Sequence, residues 1–183
     1  MEKTVLVPIA DGTEELEAVT IVDVLRRAGA RVTVASVASL QVTASRKVKL
    51  VADCLIADCK GQTFDLIVLP GGLPGAEHLR DCIPLIDMLK SQNQAGRLYA
   101  AICAAPAVAL APNGLLDGKQ ATCYPSCSDA LPDQTQADRR VVVDGNSITS
   151  QGPGTALEFA IELVRQLYDD TQAEQVAEAM LVL

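Results

Sequence analysis

Three stretches of this sequence, Lys3 to Ile9, Phe64 to Leu69 and Arg97 to Ile102, are apolar almost throughout, where a half-exposed strand would alternate. Strands of that kind belong in a parallel sheet covered on both faces, and parallel strands must be joined by crossover helices. The first crossover follows at once. The Asp11-Gly12 turn leads into a helix predicted over Thr13 to Ala28, with Glu14, Glu15 and Glu17 in its first turn and Arg26 and Arg27 in its last. Acid at the start and base at the end suit the helix dipole. Gly29 ends the helix and residues 31–36 make a second strand, completing a βαβ unit.

Beyond it, residues 41–57 hold short strand-like pieces around Ser45-Arg46-Lys47. Helices are predicted over 75–80 and 83–91. Pro106 suits the first turn of a further helix, where its missing N–H costs nothing. Strands are predicted at 120–123, 140–144 and 147–149, the last two joined by the Asp144-Gly145-Asn146 turn. A helix over Thr155 to Tyr168 opens with Thr155 and Glu158 in capping-box spacing, and a last helix occupies 171–180. Alternating strands and helices give an α/β protein, a three-layer α/β/α sandwich read as a single domain over residues 1–183.

A formal charge of −8 and a basic cluster of only Arg46, Lys47 and Lys49 argue against a dedicated nucleic-acid site or an anionic-membrane surface. The acidic residues among the first twenty exclude a signal peptide there, and no window holds the roughly 18 apolar residues of a spanning helix. The chain reads as soluble and cytoplasmic. Its six cysteines are expected to be reduced thiols. Cys54, Cys59 and Cys82 look incidental, and Cys123 with Cys127 is too sparse a pattern for a metal.

In an open sheet, ligands bind beyond the carboxyl ends of the strands. This rule brings the loops after Ile9, Leu69 and Ile102 together, and with them Glu17, Gly71, Gly72 and Cys103. Glu17 continues an apolar helical stripe with Ile21, Val24 and Ala28. A carboxyl so placed has a buried partner or keeps its proton; a first-turn glutamate bonded to helix N–H groups is the plainer alternative. Cys103 sits in Ala100-Ala101-Ile102-Cys103-Ala104-Ala105-Pro106, where small residues permit a tight strand-to-helix elbow that exposes a nucleophile. The alternative is a small apolar filler of the core.

The two together predict a protonated Glu17 donating to a Cys103 thiolate, with the thiol pKa lowered and a helix N-terminus helping. N–H groups near Gly72 and Ala104 would stabilise an oxyanion, though Gly71-Gly72 also reads as a simple strand-ending turn. No histidine stands near the cysteine in sequence; His78 is expected on the surface. Tyr124 and Glu17 are the remaining proton carriers.

Four segments resemble the ThiJ/PfpI superfamily, in its small branch containing the Parkinsonism-associated deglycase and bacterial ThiJ-like stress proteins. They are Asp11-Gly12-Thr13-Glu14-Glu15-Leu16-Glu17, Val68-Leu69-Pro70-Gly71-Gly72, Ala100 to Pro106 and Thr149 to Thr155. The resemblance implies a flavodoxin-like sandwich with a mostly parallel sheet, and usually a homodimer. It matches Cys103 to an oxidation-sensitive nucleophile, Glu17 to its protonated partner and Gly72 to a backbone donor. Two positions depart: Tyr124 stands where some members place a histidine before the proline, and Ala104 stands where protease members place one after the cysteine. The second departure argues against peptide hydrolysis.

The activity implied is cofactor-free, metal-free protection against reactive dicarbonyls, a glyoxalase or deglycase chemistry on methylglyoxal or glycated adducts. A redox-responsive stress protein or chaperone, acting on unfolded clients through an oxidisable cysteine without turnover, is the alternative.

Overall fold

Residues 2–182 are described in the computed structural model. Nine strands, β1 (Thr4–Ile9), β2 (Arg31–Ser36), β3 (Gln41–Thr43), β4 (Lys49–Val51), β5 (Cys54–Leu55), β6 (Leu66–Leu69), β7 (Leu98–Ile102), β8 (Val141–Asp144) and β9 (Ser147–Ser150), accompany five α-helices among these residues. The helices are α1 (Glu15–Arg27), α2 (Gly75–Asp81), α3 (Ile83–Gln94), α4 (Ala156–Leu167) and α5 (Asp170–Ala179). Seven strands form one sheet in the order β5-β2-β1-β6-β7-β9-β8, parallel except for the β8–β9 hairpin, and β3 pairs with β4 in a separate antiparallel hairpin.

Both faces of the central strands are buried, which is why their sequences do not alternate. Val5, Val7, Ile9, Val68 and Ile102 pack on one side with α1, α4 and α5. Leu6, Ile67, Leu69, Tyr99 and Ala101 pack on the other with α2, α3 and the segment after Cys103. The result is the expected three-layer sandwich. No described helix is long and apolar enough to cross a membrane.

Four local expectations give way to tertiary contacts. Helix α1 begins at Glu15 rather than Thr13, because the Glu14 N–H donates to the Gly71 carbonyl (2.9 Å) and Thr13 Oγ1 accepts from the Ala10 N–H (2.9 Å). Residues 120–123 are no strand. Strand β9 already pairs with β7 and β8 on its two edges, so the segment is held through side chains, as where Thr122 N–H donates to Thr149 Oγ1 (3.0 Å).

The helix expected from Pro106 is one π-turn, Pro106–Leu110, followed by a 3-10 turn, Ala111–Asn113. Pro112 has no N–H to continue an α-helical ladder, and single π-turns recur at functional sites. The Thr155–Glu158 capping box also does not form. Thr155 Oγ1 accepts from the Gly152 N–H (3.1 Å) and lies 2.6 Å from Ser150 Oγ, while Glu158 pairs with Arg140 at 2.7 Å.

Candidate active site

The carboxyl ends of β1, β6 and β7 deliver three loops to one place. The first carries Gly12 to Glu14 into α1, the second Gly71 and Gly72, the third Cys103. Glu17 is fully buried along with Ile21 and Val24, so the apolar stripe does carry a carboxyl into the core. Its Oε2 accepts from the Gly71 N–H at 2.8 Å, while Oε1 is buried with no hydrogen-bond partner among the described residues.

Cys103 stands at the elbow between β7 and the π-turn with φ +64°, a left-handed conformation that costs a non-glycine residue about 1–2 kcal/mol. Its backbone is tied on both sides. The Cys103 N–H donates to the Ser150 carbonyl (3.0 Å) and its carbonyl accepts from the Tyr124 N–H (2.7 Å). Strain held this way is characteristic of functional positions.

Gly71 is the spacer between the two groups. A methyl group there would lie 2.5 Å from Cys103 Cβ and 2.9 Å from Glu17 Oε2, so only glycine leaves room for both residues to crowd its vacant side-chain position. Thiol and carboxyl are close enough there for each to shift the titration of the other.

Burial pushes the Glu17 carboxyl up to about 7, with a smaller upward push from the charge of Glu14; the Gly71 N–H and the Cys103 thiol oppose the rise. Burial, followed by the charge of an ionised Glu17, pushes the Cys103 thiol up to about 12, against the downward pull of the Gly72 and Ala104 N–H groups. The thiol is therefore raised where the sequence predicted it lowered. Two physical reasons account for this: a buried pair takes its first negative charge on the carboxyl, and one π-turn is too short to supply a helix dipole. The thiolate forms when its proton passes to Glu17, which keeps the net charge of the pair at one and removes the repulsion.

A raised carboxyl pKa also makes stability depend on pH. Between the ordinary value of 4.5 and about 7 the native state binds a proton that the unfolded chain has released. The contribution is full below the unfolded pKa and is lost as pH rises through the folded one, at about 1.4 kcal/mol per unit and roughly 3 kcal/mol in all. Denaturant unfolding should show the unsubstituted chain losing that much relative to Glu17→Gln between about pH 4.5 and 7.5. A pH-independent difference would show that Glu17 titrates normally.

The site opens into a cavity of about 400 Å³ lined by Gly72, Cys103, Ala104 and Tyr124, the last 45% exposed, with its ring beside Gly152. His78 is exposed on α2, its Nδ1 3.0 Å from the Asp11 carbonyl, and does not line this cavity. Sequence reasoning missed Arg46 and Cys127, which line it as well. Arg46 arrives on the β3–β4 turn, fastened where its N–H donates to Glu15 Oε1 (2.9 Å) and Ser45 Oγ donates to Glu14 Oε2 (2.6 Å). No local pattern announces these cross-chain ties. The turn after Tyr124 brings in Cys127, whose N–H donates to the Tyr124 carbonyl (2.8 Å).

The model of the DJ-1/PfpI family matches residues 3–166, which takes in all three loops of the site. The chain belongs to the DJ-1/PfpI family. Within that family, it is 53% identical over 179 residues to Protein DJ-1 homolog B of Arabidopsis thaliana, a match covering 97% of this chain and 41% of the relative, so the chain spans about two fifths of that protein. The structure titled Toxoplasma gondii DJ-1, oxidized, superposes with a TM-score of 0.95 at 47% identity, covering 98% of both chains. The glutathione-independent glyoxalase DJR-1.2 of Caenorhabditis elegans is 38% identical, covering 89% of this chain and 87% of the relative. Helix α5 lies beyond the matched segment.

Proposed function

We propose that the chain converts small 2-oxoaldehydes such as methylglyoxal to 2-hydroxy acids without glutathione, using Cys103 as nucleophile and Glu17 as the proton carrier. The observation that carries this reading is the Cys103–Glu17 pair itself, held across Gly71 with the carboxyl pushed up to about 7. A carboxyl poised there gives and takes protons equally well near neutral pH. The name of the C. elegans relative supports the same chemistry.

In this scheme the thiol proton passes to Glu17 as sulfur adds to the aldehyde carbon, giving a hemithioacetal. The N–H groups of Gly72 and Ala104, which face the sulfur, hold the developing oxyanion. Glu17, having given its proton to that oxygen, takes the proton on C1 to leave an enediolate; the hydroxyl proton on the C1 oxygen passes to the C2 oxygen, and Glu17 returns the carbon proton to C2. The product is a thioester of the 2-hydroxy acid. Water hydrolyses it, releasing the acid and restoring the thiol. The same addition to glycated amines is the deglycase variant.

Purified protein given methylglyoxal without added thiol should form many equivalents of lactate per chain, and Cys103→Ser none above background. At most one equivalent per chain would mean scavenging. That result would favour the second reading, in which Cys103 is an oxidation sensor; the oxidized Toxoplasma relative and the partnerless Glu17 Oε1, able to bond an oxygen on sulfur, support it. We also propose a homodimer, consistent with the half-exposed Val19 on α1 and the 70% exposed Val51 of β4 lining one groove. Sedimentation at a monomer mass across concentrations would refute it.

A further inference from the structure

Cys54 and Cys59 lie at the β5 edge of the sheet, and the chemistry above uses neither. Cys54 opens the two-residue strand β5, and Cys59 closes the 3-10 turn Ile56–Cys59 that follows. The turn folds the chain back so that the two sulfurs are 3.7 Å apart, in van der Waals contact. Cys54 is partly exposed, whereas Cys59 is 1% exposed, within the core cluster that includes Ile56 and Phe64. Such spacing in sequence gave no reason to pair them; the turn does.

We propose that Cys54 and Cys59 are a redox-active dithiol that reduces a peroxide by two electrons and closes to an intrachain disulfide, a modification site separate from Cys103. The partly exposed cysteine acts first. The Cys54 thiolate attacks one peroxide oxygen, the O–O bond breaks, and the departing hydroxide or alkoxide takes up a proton, leaving Cys54 as a sulfenic acid. The Cys59 sulfur then attacks the Cys54 sulfur. As the S–S bond forms the S–O bond breaks, and the leaving hydroxide takes the Cys59 proton as water. For hydrogen peroxide the balance is two thiols and one peroxide to one disulfide and two waters.

Three features favour this sequence over independent oxidation. Contact at 3.7 Å leaves about 1.7 Å to close to the usual S–S bond of about 2.05 Å. Burial, with the neighbouring Cys54 adding to it, pushes the Cys59 thiol up to about 12, so Cys59 stays protonated and leaves the reaction with peroxide to Cys54; contact with its neighbour brings it into the second step. Strand β5 pairs only at its two residues, through Ala35 and Ser36 of β2, so the edge has few bonds to disturb. A disulfide across so few residues removes little chain entropy, which fits a reducible switch better than a structural staple.

The test uses the full chain. After titration with hydrogen peroxide, it is alkylated in denaturant and cut with trypsin, which releases residues 50–60 between Lys49 and Lys60 with both cysteines on one peptide. The expected product is that peptide two hydrogens lighter and unalkylated, restored to two alkylated cysteines by dithiothreitol. In Cys54→Ser the Cys59 thiol should remain alkylatable through the same titration. A peptide still carrying two alkylated cysteines at large peroxide excess, or one in which Cys54 gains oxygen atoms with Cys59 alkylated, overturns the proposal.

Discussion

Glu17→Gln should lower kcat/KM on methylglyoxal by about 10²- to 10⁴-fold, with the loss in kcat rather than KM. Glutamine keeps the shape and can still accept from the Gly71 N–H that now bonds Oε2 at 2.8 Å. What it lacks is a proton that can leave and return, and the scheme asks for that transfer at two adjacent carbons. The same substitution should make the thiol more acidic, because the charge of ionised Glu17 is the second-largest cause holding Cys103 at about 12. Iodoacetamide alkylation followed against pH would read that directly. Turnover and thiol acidity should thus move in opposite directions. A turnover loss under about tenfold would sink the assignment of Glu17 as the proton carrier and point to water or Tyr124.

Gly72→Ala should be among the most destabilising single substitutions outside the apolar core, costing about 2–5 kcal/mol. Gly72 has φ +87°, and its added methyl would collide with the Gly12 carbonyl oxygen and lie 2.5 Å from the Glu14 nitrogen. Both neighbours are backbone of the loop entering α1, so neither can swing aside. Gly29 separates the two effects. Its φ is +86° with nothing among the described residues beyond its chain neighbours within 4 Å of the added carbon, so Gly29→Ala carries the conformational cost alone, about 1–2 kcal/mol. Thermal unfolding of the two variants should differ by several degrees, at roughly 2–4 °C per kcal/mol for a chain this size. Equal midpoints would show that the loop crossing relaxes and is not held by close approach.

The same crossing explains why some expectations from sequence succeeded and others failed. The near-continuous apolar runs at β1, β6 and β7 specify strands buried on both faces, and buried parallel strands require helices on either side. Nothing distant is needed for that inference, because the spacing of apolar side chains is a property of the local chain. Gly71, Gly72 and Cys103 could be grouped for a related reason: parallel strands end at the same side of the sheet. Likewise Glu17 follows from helical spacing with Ile21 and Val24, all three fully buried.

Properties that depend on which groups meet were decided elsewhere. Helix α1 starts late because Gly71 takes the Glu14 N–H; residues 120–123 stay out of the sheet because β9 has no free edge. Arg46 reaches the cavity only through bonds from its turn to Glu14 and Glu15. The direction of the Cys103 shift was also beyond the sequence, since it depends on how much water the fold removes and on where the pair's single negative charge rests. The sequence by itself determined the layers, the strand ends and the residues that gather there. Tertiary structure alone decided their protonation, the extra lining of the cavity and the contact between Cys54 and Cys59, because hydrogen-bond competition, desolvation and distance are properties of chain segments brought together in space.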